Sequence, residues 1–246
     1  MSLLRLTSVN GGYGDVDIVT GIDMHVDARE IVTIAGTNGA GKSTLIKAVM
    51  GYLPRLSGSI EFDGRELTSV ATEKLAGIGI SYVPQVRNVF AALTVFENLQ
   101  VVENVPNRAQ RVAEMFELFP PLANRRRTLA GSLSGGERQQ LAFARALMSN
   151  PRLILLDEPS AALSPALTEQ VFAEVRKLPE TGAAVLMVEQ RARQALAFSD
   201  RGYILDSGRI VLTDTGSALL QNEKMAELYL GSKPDSSIAQ SKTQNS

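Results

Sequence analysis

The chain has 246 residues, of which 44% are hydrophobic and 21% are charged, and its formal net charge is −1. This length allows one large domain or two small ones with a sizeable core, and the near-zero charge excludes a globally basic surface that would attract nucleic acid. Because the chain contains no cysteine, disulfides, thiolate zinc sites and cysteine nucleophiles are also excluded.

The apolar stretches of the chain are short. Arg5 interrupts the N-terminal sequence too early for a secretory signal, and no apolar run approaches the roughly 18–20 residues of a membrane span. We therefore expect a cytosolic protein that reaches a membrane only through partners.

Predicted strands alternate with helical patterns along much of the chain. Strands are expected at 3–9, 21–28, 31–35, 59–63, 79–83, 153–157 and 183–188. Apolar spacing predicts helices at 45–50, 94–105, 108–119 and 167–178. This alternation favours an α/β protein with a parallel sheet covered on both faces.

Tyr13, just after the glycine pair in NGGYG, is the first candidate for a binding role. Its ring is suited to stacking on an adenine, and a structural position in the core or at the surface is the alternative.

A phosphate-binding loop is predicted between strand 31–35 and the following helix. Gly36–Ser43 matches the pattern G-x-x-x-x-G-K-[ST] in the required strand–loop–helix context. Its glycines permit backbone angles and close approaches that a Cβ would block, and the backbone N–H groups then point at phosphate oxygens. The residues assigned to the ATP cradle are Gly36, Thr37, Asn38, Gly39, Ala40, Gly41, Lys42, Ser43 and Thr44.

Within this loop, three side chains have distinct expected roles. Lys42 supplies a positive charge for the β- and γ-phosphates, and the hydroxyl of Ser43 is a ligand for Mg²⁺. Thr44 adds a hydroxyl near the α-phosphate. A plain glycine turn joining strand to helix is the structural alternative.

Two further polar positions follow predicted strands. Gln85, after strand 79–83, is a candidate Mg²⁺ ligand and hinge, and a solvent-facing loop residue is the alternative. Asp157 and Glu158 follow the apolar run LILL, where α/β sheets place ligand chemistry. Asp157 is expected to hold Mg²⁺ and Glu158 to accept a proton from attacking water. The two acids are expected on opposite faces of one strand.

Four motifs together carry a family resemblance. The glycine loop, YVPQ, LSGGE and LLDEP, in this order and spacing, resemble the ATP-binding cassette of ABC transporters over about residues 3–231. The resemblance implies an α/β P-loop NTPase (RecA-like) core with an N-terminal antiparallel β-subdomain and an inserted α-helical subdomain. We expect an ATPase domain over 1–230, with its core at 1–86 and 151–230 and the helical insert at 87–150. The polar segment 231–246 is expected to be a disordered tail.

The LSGGE segment acquires a role through this resemblance. In the family, two cassettes dock head to tail, so Ser134, Gly135, Gly136 and Glu137 of one would close over the γ-phosphate held by the other. The same residues also fit a capped helix start, with Ser134 as N-cap and Glu137 three residues on. Both roles are compatible.

Two positions depart from the common family pattern. Gln190 stands where most cassettes carry a histidine that contacts the γ-phosphate, and it keeps a hydrogen-bond donor without an ionisable ring. Ser164 stands where many cassettes have an aspartate that links the two halves of the dimer. We expect Gln190 to serve as the γ-phosphate sensor.

Strings such as LTVFENL, MVEQRARQAL and ELYLG are similar to the second ATPase subunit of importers for branched-chain amino acids or related amides. The resemblance implies ATP and Mg²⁺ as cofactors and membrane permeases plus a second ATPase subunit, identical or different, as partners, with an extracytoplasmic binding protein involved indirectly. It places the chain on the cytoplasmic face of the inner membrane. The surface around Phe90 and Leu93 is the candidate contact with a permease, and a core-facing role for these residues is the alternative.

Three other functions remain open. The chain fits a urea or amide importer of the same group, and a soluble ABC ATPase acting outside transport is a rival. A module that binds nucleotide without hydrolysing it is a third, disfavoured by the joint presence of Lys42, Asp157 and Glu158.

Overall fold

A computed structural model describes residues 2–222, which form two sheets and eight α-helices. The strands are β1 (Leu4–Tyr13), β2 (Val16–Val26), β3 (Ile31–Ala35), β4 (Arg55–Phe62), β5 (Arg65–Glu66), β6 (Ile80–Val83), β7 (Leu153–Asp157), β8 (Ala184–Glu189), β9 (Arg201–Asp206) and β10 (Arg209–Thr215). The helices are α1 (Lys42–Val49), α2 (Val95–Gln100), α3 (Arg108–Leu118), α4 (Pro120–Asn124), α5 (Gly135–Leu147), α6 (Pro165–Lys177), α7 (Ala192–Leu196) and α8 (Gly216–Gln221).

The larger sheet confirms the expected parallel core. Its order is β10-β9-β3-β8-β7-β6, and all neighbours pair in parallel except the edge strand β10, which is antiparallel to β9. β3, β7 and β8 are buried along their whole length, as strands covered on both faces must be. Ala35 pairs with Glu189, and Asp157 pairs with Val188, so these three strands end together at one edge.

The smaller sheet, in the order β2-β1-β4-β5, is antiparallel, as the family resemblance implies. Its hairpin is longer than the sequence pattern suggests, because β1 continues through Gly11 and Gly12 to Tyr13 instead of ending at residue 9. A Cβ on Gly12 would lie 2.0 Å from the carbonyl oxygen of Val16, so glycine lets the two strands approach closely.

Between β6 and β7 the described chain forms helices α2 to α5 and connecting turns. The helix expected at 94–105 ends at Gln100, whereas α3 matches its expected span to within one residue and buries Val112 and Met115. The apolar side chains of these helices join one cluster with α6 and one face of the parallel sheet. The helical segment therefore shares a core with the α/β unit, and a second cluster fills the space between the two sheets.

Within residues 2–222, every helix is too short or too polar to cross a bilayer. The polar segment predicted as a tail, 231–246, lies outside the described residues.

Candidate functional site

The phosphate loop connects β3 to α1 at the carboxyl edge of the parallel sheet, and its three glycines are required for different local reasons. A Cβ on Gly36 would lie 2.2 Å from the carbonyl oxygen of Leu205, so no side chain fits there. Gly39 has open space around it but a φ of +83°. Gly41 precedes α1 with a φ of +102°, which a residue with a side chain rarely adopts.

Lys42 lies at the start of α1 and is buried. Its Nζ donates hydrogen bonds to the carbonyl oxygens of Gly36 and Thr37, each at 3.0 Å, and lies 3.8 Å from Oε1 of Glu158. The ammonium group of Lys42 is thus positioned between the phosphate loop and the carboxylate of Glu158, which follows β7. Of the other loop residues, Thr37 and Asn38 are exposed, Ala40 is buried and Thr44 is half-buried.

Ser43 and Asp157 meet directly. The hydroxyl of Ser43 donates to Oδ1 of Asp157 at 2.9 Å, and the hydroxyl of Tyr82 donates to Oδ2 at 3.2 Å. Burial, together with the Asp157 charge, raises the pKa of Tyr82 well above its usual range, so this phenol remains a donor. Both oxygens of the buried carboxylate are therefore oriented by hydroxyl groups.

Glu158 does not continue the strand, so the expected separation of the two acids by strand alternation is wrong. β7 ends at Asp157, and Glu158 has a φ of +46°, in the left-handed region. Such a conformation costs on the order of 1–3 kcal/mol for a residue with a side chain. Its backbone N–H donates to the carbonyl oxygen of Val188 at 3.0 Å, which anchors the turn. The direction of the Glu158 side chain is therefore set by the left-handed backbone at this residue and not by the alternation of side chains along β7.

In the structure, the side chain of Gln85 also contacts Glu158. Nε2 of Gln85 donates to Oε2 of Glu158 at 2.9 Å, although Gln85 is exposed and follows β6, the edge strand. Burial raises the pKa of the Glu158 carboxyl, Lys42 opposes this effect, and the nearby charges of Asp157 and Glu189 add to it. A raised pKa suits a group that must accept a proton.

The hairpin of β1 and β2 lies beside the phosphate loop. A Cβ on Gly41 would lie 3.0 Å from Cγ1 of Val19 and 3.3 Å from the carbonyl oxygen of Ile18. Tyr13 is the last residue of β1, close to the hairpin turn, and 45% of it is exposed. Its ring is accessible, and its role in stacking stays a prediction.

The LSGGE segment forms the capped helix start that the sequence allows. The Oγ of Ser134 accepts the N–H of Glu137 at 3.2 Å, and Oε2 of Glu137 accepts the N–H of Ser134 at 3.0 Å. A Cβ on Gly135 would lie 3.2 Å from Cδ2 of Leu163, and one on Gly136 would lie 3.0 Å from Cδ2 of Leu167. The glycines therefore also allow α5 to pack closely against α6 and the loop before it.

Ser164 and Gln190 are both exposed. Ser164 is the N-cap of α6, where its hydroxyl accepts the N–H of Leu167 at 3.4 Å. Gln190 directly follows β8, two residues before α7 begins.

Glu189 is a buried acid that motif matching did not single out. It ends the apolar strand β8, one strand away from Asp157, which ends β7. The signal was present in the sequence, because AAVLMVE has the same form as LILLDE.

Comparison with known proteins agrees with this geometry. The family model described as ABC transporter matches residues 19–161. The high-affinity branched-chain amino acid transport ATP-binding protein BraG of Pseudomonas aeruginosa is 43% identical over 93% of this chain and 100% of its own length. A probable branched-chain amino acid transport ATP-binding protein, LivF of Archaeoglobus fulgidus, is 38% identical over 93% of this chain and 99% of its own length.

Solved structures show the same fold. The ADP conformation of an ATP-binding cassette of an ABC transporter has a TM-score of 0.82 and 28% identity, covering 94% of this chain and all of that one. A dimeric cassette in a post-hydrolysis state with ADP and Pi has a TM-score of 0.73 and 25% identity, covering 86% of this chain and 98% of that one. Given its phosphate loop, the acids facing it and these relatives, the chain belongs to the ABC transporter family, as an ATP-binding subunit that hydrolyses ATP.

Proposed function

We propose that ATP binds with its phosphates in the loop Gly36–Thr44 and that Ser43, Asp157 and Gln85 hold Mg²⁺. The observation that carries this proposal is the meeting of Ser43 with Asp157 at 2.9 Å beside Lys42. A hydroxyl, a carboxylate and an amide oxygen form an all-oxygen set, which fits Mg²⁺ with its remaining positions on water and phosphate. When bound, the metal neutralises charge on the phosphate oxygens.

Different residues of the chain then neutralise charge, activate water and contact the nucleotide during hydrolysis. Lys42 neutralises the transferred phosphoryl group. Glu158 orients the attacking water and accepts its proton, while Gln85 keeps the carboxylate in place through the 2.9 Å hydrogen bond. Gln190 contacts the γ-phosphate as a hydrogen-bond donor, and Tyr13 stacks on the adenine.

The working unit is a head-to-tail dimer with an identical cassette or a sister ATPase. Ser134, Gly135, Gly136 and Glu137 of one subunit cover the γ-phosphate bound by the other. Within residues 2–222, none of the hydrogen bonds of this segment reaches the phosphate loop of the same chain. Its capped helix start presents N–H groups that favour an anion, and a similar cassette has been solved as a dimer.

The transported substrates are branched-chain amino acids or related small amides. Support comes from the two relatives named for branched-chain amino acid transport, which this chain covers almost end to end. Membrane permeases would bind this subunit at the cytoplasmic face of the inner membrane and receive their substrate from an extracytoplasmic binding protein.

The permease contact is proposed at a cleft of about 410 Å³ between the core and the helical segment. Phe90 lies at this cleft and is 50% exposed, and the guanidinium of Arg145 lies 4.4 Å from the centre of its ring. Leu93, on the same segment, is half-buried. The exposed ring of Phe90, with the guanidinium of Arg145 against it, is suited to bind the apolar face of a short amphipathic helix from a partner.

The test is reconstitution in vesicles with permeases and a binding protein of a branched-chain amino acid importer from the same organism. ATP-dependent uptake of labelled leucine that disappears in Lys42→Ala would support the proposal. Uptake of urea or short amides alone would move the assignment to an amide importer. If no permease binds the chain and ATP turnover proceeds fully without membranes, a soluble ATPase is the correct assignment.

A further inference from the structure

The two loops that carry the proposed hydrolytic groups meet at one buried carboxylate. Glu189 is 1% exposed at the end of β8. Its Oε1 accepts the backbone N–H of Ser160 at 2.9 Å, and its Oε2 accepts those of Gln190 at 3.0 Å and Arg191 at 3.2 Å. Ser160 lies two residues after Glu158, and Gln190 is the proposed γ-phosphate sensor, so one side chain spans both loops.

A second contact joins the same two loops. Nη2 of Arg191 donates to the carbonyl oxygen of Leu163 at 3.0 Å, on the far side of the loop that begins at Glu158. Leu163 is also the residue that a side chain on Gly135 would meet. The loop after β7 is thus held at both of its ends, by Glu189 near Glu158 and by Arg191 near α5.

Burial of a carboxylate destabilises the folded state unless hydrogen bonds compensate for its lost hydration. The donors to Glu189 are all backbone groups, so its side chain fixes the path of the main chain on both loops. This matters most at Glu158, whose left-handed conformation persists only if its surroundings hold it in place.

We propose that Glu189 is a positioning residue for ATP hydrolysis, which holds the loop of Glu158 and the loop of Gln190 in fixed relation to each other. Its side chain is buried and acts through the backbone of these two loops. This inference rests on the proposed role of Glu158. Displacing a reacting group by about 1 Å can lower a rate by roughly 10²-fold, and so a disturbed loop reduces turnover while the phosphate loop still binds ATP.

The test compares steady-state kinetics of Glu189→Gln, Glu158→Gln and the wild type in the assembled transporter. The amide has the same shape, but its NH₂ end faces N–H donors and cannot satisfy both loops. We expect kcat of Glu189→Gln to fall by about 10- to 100-fold with KM for ATP within about twofold of the wild type. The double variant Glu158→Gln/Glu189→Gln should be no slower than Glu158→Gln alone, because Glu189 acts through the loop of Glu158.

Glu30→Gln is the matched control for loss of a buried carboxylate. Glu30 is also largely buried, and its Oε2 accepts the backbone N–H of Asp27 at 2.6 Å, but it lies at the opposite end of the parallel strands, just before β3. Its Oε1 also accepts a hydrogen bond from Nε of Arg201 at 2.9 Å, so its variant loses an ion pair as well. Its variant should unfold at a lower temperature and keep its kcat. A kcat of Glu189→Gln within twofold of the wild type, or a KM that rises as far as kcat falls, would overturn the inference.

A second variant covers the case in which Glu189→Gln does not fold. Arg191→Ala removes the guanidinium contact to Leu163 and leaves the backbone N–H that Glu189 accepts, and Arg191 is partly exposed. It should lower kcat several-fold at unchanged KM, and an unchanged kcat would then refute the coupling of the two loops. If Glu158→Gln itself turns over normally, the proposed function has failed and not this inference alone.

Discussion

Ser134 and Thr94 form a matched pair that separates helix capping from phosphate recognition. Each precedes a helix and forms the same capping box, in which its Oγ accepts the N–H of a glutamate three residues on at 3.2 Å. The glutamates accept the cap residue's N–H in return, Glu97 at 2.8 Å and Glu137 at 3.0 Å. The boxes differ only around this core, because the hydroxyl of Thr94 also donates to Oε2 of Glu97 at 2.7 Å and Glu137 also pairs with Arg125 at 3.3 Å. Since the capping bonds themselves match, Ser134→Ala and Thr94→Ala should each destabilise the fold by about 1 kcal/mol.

Only Ser134→Ala should affect chemistry. A hydrogen bond from its hydroxyl to a charged phosphate in the partner subunit is worth about 1.5–3 kcal/mol, which corresponds to a loss of roughly 10- to 150-fold in turnover. Thr94→Ala should hydrolyse ATP at the wild-type rate, because its helix start lies in the helical segment and outside the proposed ATP site.

The assay combines thermal unfolding with ATP turnover at saturating Mg-ATP near pH 7. Hydrogen bonds from the cap residues lower the pKa of both Glu97 and Glu137. A lowered pKa contributes stability above the usual glutamate range, and this contribution is lost as pH falls through the folded value, so at pH 7 both caps are complete. Each variant should unfold about 2–4 °C lower. Equal turnover in the two variants would refute the role of Ser134 in the partner's site.

Three further outcomes are expected. Glu158→Gln should bind ATP, trap a closed dimer and turn over about 10²- to 10⁴-fold more slowly; unchanged turnover would mean that another group handles the water. Between about pH 6 and 8, turnover should show no imidazole limb at position 190; a pH step that vanishes in Gln190→Leu and returns shifted in Gln190→His would contradict this. Phe90→Asp should abolish transport and leave basal ATP turnover intact. Val211→Asp, at an equally exposed apolar site on β10, should affect neither transport nor turnover. Intact transport in Phe90→Asp would rule out the proposed permease contact.

The parallel core was predictable from sequence because its strands are apolar runs with glycine or acid at their ends. β3, β7 and β8 were expected at 31–35, 153–157 and 183–188, within one residue of their observed bounds. β9 and β10 were not predicted, since the turn at Asp206–Arg209 and polar residues such as Asp214 obscure the alternation. β10 is an edge strand with one exposed face, which tolerates such residues.

The site was predictable wherever a motif fixes chemistry, and not where backbone conformation does. Ser43 contacts Asp157, and Lys42 lies near Glu158, as expected of residues whose motifs follow neighbouring strand ends. The direction of Glu158 follows from a left-handed residue, which no pattern of side chains reveals. Glu189 ends an apolar run like the one before Asp157, but its contacts were missed because its partners are backbone N–H groups of Ser160 and of its own loop, and the identities of the donor residues do not reveal such bonds.

The glycines of LSGGE illustrate how a motif residue can have a structural role as well as a functional one. Within one chain, a Cβ on Gly135 would lie 3.2 Å from Leu163 and one on Gly136 would lie 3.0 Å from Leu167, so these leucines would have to shift. Replacing either glycine would therefore disturb the packing of α5 whether or not the segment ever meets a phosphate, and lost activity would not identify the cause. Ser134 is exposed and its side chain caps α5, a role that Thr94 has at α2. The serine, and not the glycines, is the position at which dimer chemistry can be separated from folding.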